Sequence, residues 1–156
     1  MNTILLSKEE LLIHWQGHRA LTRKTIEAFP EKELFEFAIG NMRPFSVMVH
    51  EILAIGVPGL QEIVSKETAE FKEHTNLYKT KDELLAQWDH DTAAINSQYA
   101  LIPETDFRVE FNLFGQYKNS AVNSILYFID NEVHHRAQAF VYLRALNMTP
   151  PFFWER

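Results

Sequence analysis

Polar residues with ligand chemistry fall where this sequence should be apolar. Glu132 and His135 take successive positions on the stripe Ala121, Ile125, Phe128, Glu132, His135, Ala139, Tyr142 and Leu146, and Asn131 lies one turn before His135. Upstream, His50 sits between Ser46 and Leu53 on the inner face of another amphipathic segment. A buried carboxylate or imidazole is costly to desolvate unless it is paired or bound to a cation. A divalent metal meets that cost: neutral imidazoles donate nitrogen lone pairs, and a carboxylate or amide oxygen completes one side. Helical bundles build such sites from i, i+3 and i, i+4 pairs on facing helices. A hydrogen-bonded cluster meets the cost too, with Glu132 and His135 as an intrahelical pair and His50 bonded to a neighbour. Spacing alone leaves both readings open.

Other chemistries have less to rest on. There is no cysteine, which removes disulfides, thiolate metal sites and Cys nucleophiles together. Gly-rich phosphate loops, Gly-x-Ser-x-Gly and His-Glu-x-x-His are absent, and no Ser, His or Asp has a triad context. His134, about 100° around the helix from His135 and beside Arg136, reads as a rim residue. His14, His18, His74 and His90 have no grouping and read as surface or cap residues. Lys and Arg total 15 against 21 Asp and Glu, a formal charge of -6, and the densest basic stretch, Arg19 to Lys24, holds three cations. That balance disfavours nucleic-acid binding. The start MNTILLSKEE lacks a basic segment followed by a long apolar one, and no apolar run approaches the ~18 residues of a membrane span. A cytoplasmic protein with no membrane partner is the expectation.

The elements that must position these residues are helices. The 156 residues, 46% hydrophobic and 23% charged, suit one domain over 1–156. Ser7 and Glu10 form a capping box before a stripe of Leu12, Trp15, Arg19, Thr22, Ile26 and Phe29, stopped by Pro30. Arg19 and Thr22 on that stripe read as a polar edge of the core or as the lining of a polar pocket. Residues 30–43 read as a connection with one short helical turn. A second helix starts near Pro44, with a kink or break expected at Gly56, Pro58 and Gly59. Residues 65–79, polar and mixed in sign, read as a solvated loop or a frayed helix end. Thr80 and Glu83 cap a third helix carrying Leu85, Trp88, Thr92, Ile95, Tyr99 and Ile102. Residues 104–118 read as an ordered loop, since Phe107–Phe111 alternates but has no second strand to pair with. The fourth helix runs from about Asn119 to Leu146. Its second stripe, Val122, Leu126, Ile129, Val133, Phe140 and Leu143, widens its apolar surface beyond one neighbour's reach. That helix is either central or shared with a second copy, so a homodimer is expected. The fold class is all-α, a four-helix bundle with long connections.

The run Asp130-Asn131-Glu132-Val133-His134-His135-Arg136-Ala137-Gln138, then Tyr142-Leu143-Arg144-Ala145-Leu146 and Pro150-Pro151, resembles the DinB-like (damage-inducible, YfiT-like) metalloprotein superfamily. Its signature there is close to His-Glu-x-His-His-Arg-Gly-Gln, followed by Leu-Arg-x-Leu-Gly and Pro-Pro. Arg43-Pro44-Phe45-Ser46-Val47-Met48-Val49-His50 is similar to the segment leading to that family's first ligand histidine. The resemblance implies a four-helix bundle holding zinc or nickel through His50, His135 and the residue four before it. That residue is usually His or Glu and is here Asn131, a weaker, neutral ligand. Either Asn131 binds through its amide oxygen, Glu132 swings in, water fills the place, or the metal is lost.

Several family members look like thiol-dependent transferases, in which an open metal position lowers the pKa of a low-molecular-weight thiol. Lacking Cys, this chain would need that thiol as a cosubstrate. The leading expectation is a dimeric divalent-metal protein acting on a small-molecule substrate, with thiol S-transfer as its extension and no assignable catalytic residue. One alternative is a non-catalytic bundle, structural or interacting, whose metal site is lost through Asn131. The other is a metal-dependent hydrolase that turns over without thiol.

Overall fold

The structure, a computed structural model, describes residues 6–73 and 77–156, so His74 lies outside the described residues. Four long helices dominate: α1 (Lys8–Ala28), α3 (Phe45–Ser65), α4 (Lys81–Ala100) and α5 (Ala121–Ala145). A short α2 (Glu31–Glu36) is the expected helical turn between α1 and α3. Both capping boxes form: the Ser7 hydroxyl accepts from Glu10 N and Glu10 from Ser7 N, and Thr80 and Glu83 repeat the exchange. α1 and α3 each pack against both α4 and α5, closing a four-helix bundle.

The core divides along the bundle. One apolar cluster joins Trp15, Leu60, Ile95, Ile125 and Phe128, and a second joins Ile26, Phe45, Val49, Trp88 and Tyr142. Between the two clusters, α1, α4 and α5 bring buried or partly buried polar residues: Arg19 and Thr22, Thr92, and Glu132, His135 and Arg136. The bundle therefore has two greasy ends and a polar waist, and the waist is where chemistry has to be sought.

Three expectations need correction. Residues 104–118 are not a loop: a 3-10 turn (Glu104–Arg108) leads into an antiparallel hairpin of β1 (Glu110–Leu113) and β2 (Tyr117–Ser120), with Leu113 opposite Tyr117. The second strand was invisible because Tyr117, Lys118 and Asn119 are all exposed, so no apolar alternation marks it. Gly115 turns the hairpin at φ +68°, a conformation other residues rarely adopt. Secondly, α5 begins at Ala121, after Ser120 caps it by accepting from Asn123 N. Thirdly, Pro58 does not end α3, which runs unbroken for 21 residues. Gly59 is there for packing, since a Cβ at that position would lie 2.5 Å from Phe128 Cζ on α5.

α3 is also more apolar than expected. By length and composition it could cross a membrane, but 67% of its most apolar window is buried inside the bundle, which fits a core helix.

Candidate functional site

Consecutive side chains of α5 enter two different polar networks. Asn131 and His135, one turn apart, face α3, where they meet Glu51. His135 Nε2 lies 2.9 Å from Glu51 Oε1, an atom that only accepts, so Nε2 carries the proton and donates. Asn131 Nδ2 donates to the same oxygen at 3.0 Å. The other oxygen, Oε2, accepts from Arg43 at 2.6 Å. Arg43 is fixed from behind, because its carbonyl accepts the Tyr142 hydroxyl at 2.9 Å. Three donors surround one carboxylate, and they hold the Glu51 pKa down at about 2, the His135 bond contributing most. Two atoms of the cluster, Asn131 Oδ1 and His135 Nδ1, are buried without a hydrogen-bond partner among the described residues.

Glu132 turns the opposite way, into the bundle waist beside α1. It is fully buried; Oε1 accepts from Thr22 at 2.6 Å, and the guanidinium groups of Arg19 and Arg136 stand 3.9 and 3.8 Å away. Arg19 lies against the Trp88 ring at 3.3 Å and donates to Trp88 O and Thr92 Oγ1. Burial draws its pKa to about 10, so it remains a cation at neutral pH. Burial pushes Glu132 up, against the pull of Arg19 and Thr22. Arg136 continues the network to His18, donating to Nδ1 at 2.8 Å. Arg19 and Thr22 are thus core residues tied to Glu132.

His50 joins neither network. Its Nδ1–H donates to Ser46 O at 2.7 Å, its Nε2 accepts the backbone N–H of Tyr78 at 3.1 Å, and its ring stacks on Tyr78. Both nitrogens are spent, and burial lowers its pKa, so the ring is neutral at pH 7. Of the four residues singled out by pattern, Asn131 and His135 come together, while His50 and Glu132 are engaged elsewhere. The pattern missed Glu51 and Arg43. A usable signal existed for Glu51: it is the one acidic residue from Phe45 to Leu60, a run whose other polar members are Ser46 and His50.

The DinB family profile matches residues 1–155. The chain belongs to the DinB family. Two solved DinB-like structures share its fold. One, from Bacillus cereus ATCC 10987, superposes with a TM-score of 0.75 at 15% identity, covering 94% of this chain and 97% of that one. The other, YjoA from Bacillus subtilis, gives 0.73 at 18% identity, covering 94% and 99%. No curated protein matches.

For a DinB protein the question is whether these residues suit a divalent cation. As arranged, they do not. The His50 lone pair is taken by Tyr78 N–H, Asn131 presents its NH2 group, and His135 presents N–H to Glu51. The Arg43 guanidinium already pairs with the Glu51 carboxylate at 2.6 Å and with Glu73 at 3.3 Å. Among the described residues, no three His, Asp or Glu side chains are grouped to hold an ion.

Proposed function

We propose that this DinB protein works without a resident metal, as a non-catalytic bundle in which Arg43 supplies from within the positive charge that an ion would bring. The observation carrying this is the Glu51 carboxylate, which accepts from Arg43, Asn131 and His135 at 2.6–3.0 Å. A carboxylate so surrounded has three donors, one of them a cation that it shares with Glu73, and so does not depend on an ion for its partners. The role left to such a bundle is binding, of a small molecule or of a second copy along α5. There Val122, Leu126, Val133 and Phe140 are only half-buried and Val141 is exposed.

The test is the melting curve. Wild type purified without an affinity tag is expected to melt at the same temperature in chelator, in added zinc and in added nickel. A rise of several degrees with either ion, lost in His135→Ala, would refute the reading.

A metal-loaded state is the second reading, and one observation favours it. Glu51 Oε1, the Asn131 amide and His135 Nε2 lie 2.9, 3.0 and 3.3 Å apart. Ligand atoms about 2.1 Å from one ion stand about 3 Å from one another. The unpartnered Asn131 Oδ1 would face that point if the amide turned over. Zinc or nickel would then rest on Glu51, Asn131 and His135, with His50 and Glu132 left in their own networks. Thiol transfer and hydrolysis both belong to this reading, since each needs an ion to activate its nucleophile.

A further inference from the structure

A cavity opens beside His50, away from the Glu51 cluster, none of whose members lines it. Its volume is about 610 Å³, within the range of sites that take small organic molecules. Leu53, Ala54 and Val57 of α3 and Phe114 of the hairpin turn give it an apolar wall. The polar end is made by Tyr78 with Gln87 and Asp91 of α4.

Charge inside this cavity is unbalanced. His50 contributes a neutral ring. Glu62 also lines it, but both carboxylate oxygens are occupied, Oε1 by Ala69 N and Oε2 by Phe114 N, at 2.9 and 2.8 Å. Asp91 differs. It is 7% exposed, and its Oδ1 accepts from Gln87 Nε2 at 2.7 Å and His90 Nδ1 at 3.1 Å. Its Oδ2 has no hydrogen-bond partner among the described residues and is not sealed in the protein, and Asp91 lines the cavity. Among the described residues Lys72 is the one Lys or Arg of the lining; it is exposed, and Glu67 and Glu70 line the cavity with it. Asp91 lies in the field of Arg19 and beside His90, but among the described residues no cation contacts its Oδ2, where a nine-tenths buried carboxylate oxygen gains from a charged donor. Tyr78, whose phenol lies in the field of Asp91, adds an aromatic surface beside that point.

We infer that the cavity is a binding site for an organic cation: a molecule with an apolar, ring-sized body and an amine that pairs with Asp91 Oδ2. The body would lie along Leu53, Ala54, Val57 and Phe114. The cavity would hold such a ligand whether or not an ion can be loaded at Glu51, because the two places share no residue.

Calorimetric titration with three probes of one shape tests this: tryptamine, the neutral tryptophol and the anionic indole-3-propanoate. Tryptamine is expected to bind saturably and at least tenfold tighter than tryptophol, about 1.4 kcal/mol for a charged hydrogen bond, and the carboxylate not at all. Asp91→Asn keeps the shape of the side chain and should cost tryptamine that tenfold while leaving tryptophol unchanged, which also shows the chamber intact. Ala54→Trp, filling the apolar wall, should remove binding of both. Equal affinity for amine and alcohol would overturn the proposal. So would tryptamine binding that survives Asp91→Asn, or no saturable binding by any probe to wild type.

Discussion

Glu51 on α3 and Glu132 on α5 are two carboxylates of one bundle, each within reach of arginine, yet they do different work. Glu132 is sealed: it lies between the buried Arg19 and Arg136, and it ties α5 to α1 and, through Arg19, to α4. Glu51 is held at the edge, its side chain 18% exposed and its arginine 43% exposed. Water can compensate for a change at Glu51 and cannot at Glu132. A buried ion pair specifies how the helices meet, whereas one at the rim can be exchanged for something else, an ion included.

The largest expected effect comes from removing the sealed charge. Glu132→Gln strands two buried guanidinium groups and should cost about 3–5 kcal/mol in urea unfolding. Glu51→Gln, whose arginine can turn to solvent, should cost about 1–2 kcal/mol. Similar losses at both positions would erase the distinction.

A smaller, graded effect is expected on the sealed side from acid. Burial, together with Arg136, His14 and Arg156, lowers the His18 pKa from 6.5 to about 3. Between those values the unfolded chain binds more protons than the folded one, so stability falls as pH falls, by up to about 1.4 kcal/mol per pH unit. His18→Gln should flatten that slope, as read from urea midpoints between pH 6.5 and 4. Glu51 acts lower, because a carboxylate held at about 2 loses its contribution only as pH drops below the ordinary value of 4.5.

Much of this molecule was legible before its fold was known. Both capping boxes, the four long helices and the polar interruption of α5 follow from residue types at spacings of three and four. The hairpin was not, because β2 is polar throughout and its pairing depends on a partner rather than on its own pattern. Within the site, periodicity placed Asn131, Glu132 and His135 on an inward surface of α5 but could not say which neighbour each would meet. Consecutive positions 131 and 132 differ by about 100°, enough to send one toward α3 and the other toward α1. Arg43 was beyond reach for another reason. It sits in the loop before Pro44, and what brings it to Glu51 is a backbone carbonyl held by Tyr142, 99 residues away.

The central claim is that Arg43 and Asn131 have replaced an ion at Glu51 and His135. Calorimetric titration of zinc into wild type and into the double variant Arg43→Ala, Asn131→His tests it most directly. The account expects no saturable binding by wild type and uptake of one zinc by the variant, in which the competing charge is gone and a second imidazole restored. Near-stoichiometric binding of zinc by wild type would contradict it.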